Sequence, residues 1–217
     1  MARTGTPGTA TIAKPAPRGG RPSREASAAL ADAIVGAATV LFLRDGFVAT
    51  SMEAVAVASG VSKRTLYSRF ADKPALFEAA VGRLIDAWLP GFDAAIEQAG
   101  TLDEALLLAA RQMLKTALAP EALALYRLLI AESERIPNLQ ALLQQAGAGA
   151  GIARIAARLR QEGIADPWWA AAQFQRLVLT GPQHQAMGLG PPLDADALAA
   201  WPSRCVALFL RGVAPNG

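Results

Sequence analysis

The chain has 217 residues, 53% of them hydrophobic, enough to bury a sizeable core in one large or two small domains. Its single cysteine, Cys205, excludes an intramolecular disulfide and a paired-cysteine zinc site, and no uninterrupted apolar run approaches the ~18 residues of a membrane span. The net charge of +3 is unevenly spread: residues 1–24 hold five of the 21 basic side chains and none of the 18 acidic ones, so the body is slightly acidic.

Residues 1–22 are rich in Thr, Gly, Pro and Ala without periodicity, which predicts a disordered basic tail. They lack the apolar core of a secretory signal, and a lone thiol fits a reducing compartment, so a cytoplasmic location is expected. The run Pro17–Arg–Gly–Gly–Arg–Pro22 resembles a minor-groove arm, with a solvated linker as an equal reading. Beyond the tail, alanine and leucine dominate and β-branched residues are sparse, which predicts an all-α fold.

Ser23 to Arg44 reads as the first helix, with Leu30, Ile34, Ala37, Ala38, Leu41 and Phe42 at helical spacing and Asp45–Gly46 as its stop. Thr50 to Lys73 then reads as two short helices joined by a tight turn. Thr50 and Glu53 have the spacing of a capping box. Gly60 suits the left-handed end of the first helix, and Ser62 can cap the second. Leu66 and Phe70, four apart, share its buried face, with Phe47 in the same small core. Lys63, Arg64, Thr65, Tyr67 and Ser68 are left outside, at the start of a helix suited to a DNA major groove. Arg64 can pair bidentately with guanine or hold a phosphate, and the Thr65 methyl can touch thymine. Tyr67 and Ser68 suit phosphate oxygens, and Thr50, Ser51 and Ser62 are counted with them among the residues expected at DNA. Asp72 can cap a further helix beginning Lys73–Pro74, where Lys73 and free amides would clamp another phosphate.

The stretch FLRDGFVATSMEAVAVASGVSKRTLYSRFADKPALFEAAV resembles the DNA-binding domain of the tetracycline-repressor (TetR) family, with the match running over residues 30–81. It includes Gly46–Phe47, Thr50, Ala58–Val61, Leu66–Tyr67, Phe70 and Lys73–x–x–Leu76. Arg64 departs from many relatives, which carry glycine or alanine there. The resemblance implies an N-terminal three-helix helix-turn-helix domain (23–80) and a C-terminal helical domain for ligand binding and dimerisation (81–217). It also implies a homodimer, double-stranded operator DNA as partner and a small-molecule effector.

Pro74 to Phe92 reads as one long helix, broken or bent at Pro90–Gly91, and as the lever between the two halves. Thr101–Glu104 is a second capping box, opening a helix to about Leu118. Pro120 opens the next, and Ile136–Pro137 breaks it. Pro137 to Arg160 follows as one bent helix. Residues 125–139, LYRLLIAESERIPNL, resemble a branch of the family often found near efflux or solvent-tolerance genes. Asp166–Pro167 starts a helix to about Met187 with a kink at Gly181–Pro182, and Asp194 caps the last, to about Arg211. In the family such a pair, here 167–187 and 195–211, forms the dimer interface.

The resemblance also implies a cavity in the second half. Trp88, Met113, Leu114, Tyr126, Leu129, Trp169 and Phe174 are its apolar candidates, and Gln173, Gln183, His184 and Gln185 its polar ones, although each suits ordinary packing too. Such a lining fits a largely apolar ligand with one or two hydrogen-bonding groups. No nucleophile elbow, phosphate loop or dinucleotide signature is present, so no catalytic residue, cofactor or metal is expected. A helical ligand-binding adaptor without DNA binding is the alternative reading.

Overall fold

The computed structural model describes residues 24–97, 99–147 and 149–212. The basic tail and the arm at Pro17–Pro22 lie outside the described residues. Among the described residues there are ten α-helices and no strand. They are α1 (Arg24–Asp45), α2 (Met52–Ala58), α3 (Lys63–Tyr67), α4 (Lys73–Glu97) and α5 (Leu102–Ala117), followed by α6 (Pro120–Glu132), α7 (Leu139–Gln145), α8 (Ala150–Gln161), α9 (Pro167–Ala186) and α10 (Ala195–Gly212).

Local chemistry sets most of these boundaries. α1 ends where Gly46 takes φ +90°, a conformation that side chains disfavour. Gly60, at φ +68°, turns the chain between α2 and α3. Ser62 caps α3 by accepting from the Thr65 N–H, and Asp72 accepts from Ala75 N–H at the start of α4. Thr101 caps α5, and the Glu104 carboxylate reaches back to the Gly100 N–H. Asp166 and Asp194 cap α9 and α10.

Three expectations are corrected. The N-cap of α2 is Ser51, whose hydroxyl accepts from Ala54 N–H, not Thr50. The Thr50 hydroxyl instead donates to Gly46 O at 2.7 Å, closing the loop behind the cap. α4 does not end at Phe92, nor is it broken at Pro90, but continues to Glu97. Pro90 and Asp86, the residue whose carbonyl the missing N–H would have met, are both exposed, so leaving that carbonyl without its helix partner is not a buried loss. Meanwhile Phe92, two residues further on, is buried and holds the apolar stripe in register. The helix expected over 137–160 is two helices, because Gly147 takes φ +85° between α7 and α8.

Burial forms two clusters. The first joins α1, α2, α3 and the start of α4 to Leu125, Leu128, Ile136 and Leu142. Phe42, Phe47 and Phe77 pack ring on ring at its centre, with centroids 5.1–5.9 Å apart. The second joins Phe92 at the end of α4 to α5, α8, α9 and α10. α1 is long and apolar enough to cross a bilayer by length and composition alone, but it packs against α2, α4 and α6. α4 is the element common to both clusters.

Candidate nucleic-acid interface and effector cavity

α2 and α3 cross over Val55, Ala56 and Leu66, all buried. The small Ala56 side chain lets the two short helices approach. Burying these residues turns Lys63, Arg64, Tyr67 and Ser68 to solvent, with Thr65 half-buried. The α3 start is rigidly built. Ser62 Oγ lies 2.8 Å from Thr65 Oγ1 as well as capping Thr65 N–H. Ser68 donates its hydroxyl to Thr65 O. Lys63 Nζ pairs with Glu53 Oε1 at 3.0 Å, tying α3 to α2. That ammonium holds the Glu53 carboxyl below its ordinary value. Arg64 makes no ion pair among the described residues and stands exposed at the tip. The arrangement therefore presents one free guanidinium, a half-exposed phenol and the unbonded amides of a helix start on one convex edge. Charge of that sign at such an edge attracts a polyanion.

Two of the residues expected at DNA do other work. Thr50 is only 3% exposed and its hydroxyl is spent on Gly46 O, so its side chain does not reach the edge. Lys73 is half-buried, not an outward clamp. Its Nζ donates to Phe47 O, Val48 O and Thr50 O at 2.8–3.1 Å and lies over the Phe47 ring. It holds the turn that feeds the helix-turn-helix. Ser51 and Ser62 are exposed and their oxygens serve as caps, which leaves the Ser51 proton for a phosphate, while the Ser62 hydroxyl is also shared with Thr65 Oγ1. The Ser68 proton is already used on Thr65 O.

A cavity of about 290 Å³ opens between α4, α5, α6, α7, α8 and α9. Of the residues named from the sequence, Trp88, Met113, Tyr126, Leu129 and Gln183 line it. Trp169 does not: it stands 59% exposed on the outer face of α9. Phe174 is fully buried, with its ring 4.9 Å from that of Phe209 in the core between α9 and α10. His184, Leu114, Gln173 and Gln185 are outside the lining too. The reason is rotation. The cavity stripe of α9 is Gln175, Leu179 and Gln183, four apart, and a neighbour one residue along points roughly 100° away. Gln112, Thr116 and Gln175 were missed. The Gln112/Thr116 pair, four apart on amphipathic α5, was the available signal, and Gln112 Nε2 donates to Thr116 Oγ1.

Cys205 is buried, donates to Leu177 O, and burial pushes its thiol pKa up, as for a packed thiol. No group of three potential metal ligands occurs among the described residues.

Residues 34–80 match the family described as bacterial regulatory proteins, tetR family, and residues 104–212 that of the AefR-like transcriptional repressor C-terminal domain. The flavonoid-responsive regulator FrrA is 34% identical with a TM-score of 0.72, the match covering 88% of this chain and 100% of that one. A Mesorhizobium loti protein assigned to the TetR family is 29% identical with a TM-score of 0.70, covering 86% and 97%. A TetR-family regulator of Pseudomonas syringae pv. tomato shares the fold at 24% identity and a TM-score of 0.62, covering 87% and 98%. No curated protein matches the sequence.

Proposed function

The chain belongs to the TetR family of bacterial transcriptional regulators, and from that membership we propose that it is a repressor released from a palindromic operator by a small, largely apolar molecule held in the cavity. It acts in the cytoplasm, where its DNA is. The observation that carries this reading is the span of α4. Lys73 at its first residue grips the turn before the helix-turn-helix, and Ile85 and Trp88 further along wall the cavity. A molecule that pushes on Trp88 therefore pushes on the helix that positions the DNA-facing edge.

At that edge Arg64 and Thr65 face bases, while Ser51, Ser62, Lys63 and Tyr67 face phosphates. Lys63 must exchange Glu53 for phosphate, or share the two. The dimer forms through α9 and α10, where Trp168, Trp169 and Leu208 are each more than half exposed. Two-fold symmetry then sets the recognition helices about one DNA turn, roughly 34 Å, apart. The effector must bind the DNA-incompetent spacing more tightly, because equal affinity for both states shifts nothing. Trp88, Met113, Tyr126 and Gln183 contact it. The neighbour described as flavonoid-responsive supports an aromatic effector, and the repressor description of the matched C-terminal family supports repression.

The test is a mobility-shift assay of the purified protein on the DNA flanking its own gene, at several salt concentrations. A dimer whose affinity falls linearly with log salt is expected. A protein with no affinity for any duplex would leave the ligand-binding adaptor instead.

A further inference from the structure

The cavity holds a polar pattern that a simple apolar pocket has no use for. Gln175 and Gln183 lie on one stripe of α9 with Leu179 between them. Eight residues of helix separate them by about 12 Å along the axis. Among the described residues neither amide side chain has a hydrogen-bond partner within the protein, whereas Gln112 across the cavity is engaged with Thr116. The rest of the lining is mostly apolar and aromatic, including Trp88, Tyr126 and Leu129. Among the lining residues there is no carboxylate, ammonium, guanidinium or imidazole.

Resting on the reading of this cavity as the effector site, we infer that it selects an uncharged, elongated aromatic molecule with a hydrogen-bonding group, hydroxyl or carbonyl, at each end. An amide both donates and accepts, so it matches either group but neutralises no charge. A carboxylate or ammonium brought here would lose its water and gain no counter-ion, which is the costliest form of burial. Two amides set a helix-length apart measure the ligand from end to end. The aromatic walls hold its flat body by dispersion and area.

The experiment uses the full-length protein without DNA and titration calorimetry with three compounds of one shape: trans-stilbene, its 4,4′-diol and its 4,4′-dicarboxylate. The diol is expected to bind about tenfold more tightly than stilbene, the ratio that one well-made hydrogen bond supplies. The dicarboxylate should give no binding heat. Gln175→Leu and Gln183→Leu should each lower the preference for the diol over stilbene, and the double variant should erase it. Dicarboxylate binding as tight as that of the diol, equal binding of diol and stilbene, or no binding of the diol overturns the inference. The wild-type ranking decides it even if a variant fails to fold. A protein that ranks the compounds as expected but binds no DNA sinks the regulator reading alone. One that binds its operator but does not rank them sinks this inference alone.

Discussion

Glu132, the last residue of α6, accepts a hydrogen bond at 3.0 Å from the peptide N–H of Val48, 84 residues earlier in the chain. The carbonyl of the same Val48 is taken by Lys73 at the start of α4. One residue before the helix-turn-helix is thus held through both its N–H and its carbonyl, by the two helices that carry Trp88 and Tyr126 into the cavity. Glu132→Ala should lower stability by about 1 kcal/mol, the net worth of a half-exposed hydrogen bond, and lower operator affinity with it. Glu132→Gln keeps a neutral acceptor and should lose less. Urea unfolding and operator titration of both variants check this; wild-type values for the alanine variant would mean the bond is idle.

Lys73 gives a prediction opposed to its reading from sequence. Its ammonium is spent on three carbonyls. Lys73→Met should therefore destabilise the fold by about 1–3 kcal/mol, since carbonyls in the turn lose a charged donor. The slope of log affinity for DNA against log salt should stay as in the wild type. A slope shallower by about one unit would instead make Lys73 a phosphate contact.

Arg64 should behave in the reverse way. It is exposed and makes no ion pair, so Arg64→Ala should leave unfolding within about 0.5 kcal/mol of wild type. Operator affinity should fall by ~1–3 kcal/mol, with relaxed preference at one base pair, if the guanidinium reads guanine. Selection of bound sequences from a random pool by both proteins makes the comparison. Unchanged preference with uniformly weaker binding would assign Arg64 to phosphate.

What could be read from the sequence was what is local. Ser62, Asp72, Asp166 and Asp194 each accept from an amide three residues on, Gly60 supplies the positive φ of its turn, and all sit where their types suggest. The one slip among caps, Thr50 for Ser51, came from two adjacent hydroxyls. Only the bond of Thr50 to Gly46 O decides between them. The cavity was half legible for a similar reason. Trp88 and Gln183 point in, but Phe174 and His184 sit one position off the Gln175–Leu179–Gln183 stripe, and helix rotation was not fixed by an apolar pattern spread round α9. The contact of Glu132 with Val48 had no local signal at all.

The Glu53–Lys63 pair predicts a pH dependence. The ammonium, through its hydrogen bond to the carboxylate, lowers the Glu53 pKa from its ordinary 4.5. A carboxyl with a depressed folded value contributes stability above its unfolded value, and that contribution disappears as pH falls through the folded one. Both groups are exposed, so the effect is small and screened by salt. In low salt, wild-type melting should fall more steeply than that of Glu53→Gln below pH 4.5, and the two should run parallel at neutral pH. Parallel curves throughout would show that the pair does nothing for the fold. The same variant frees Lys63, so its DNA affinity should rise or hold at neutral pH.

Gly181 and Gly82 make a matched pair of tests inside helices. A methyl at Gly181 would meet two ring carbons of Trp201 at 2.9 Å. That ring cannot easily retreat, because its Nε1 donates to Val178 O one turn earlier on α9. The absent side chain is what lets α10 lie close against α9. Gly181→Ala should therefore cost about 1–3 kcal/mol by overpacking, and it should loosen the dimer as the α9–α10 pair spreads. At Gly82, in the middle of α4, a methyl would meet only Ala146 O at 4.0 Å, an ordinary contact. Gly82→Ala should be neutral or stabilise by about 0.5–1 kcal/mol through helix propensity alone. Thermal unfolding and sedimentation of both variants, at one protein concentration, separate the two effects. A Gly181→Ala protein as stable and as dimeric as Gly82→Ala would mean that Trp201 is free to move and that α10 does not depend on this close approach.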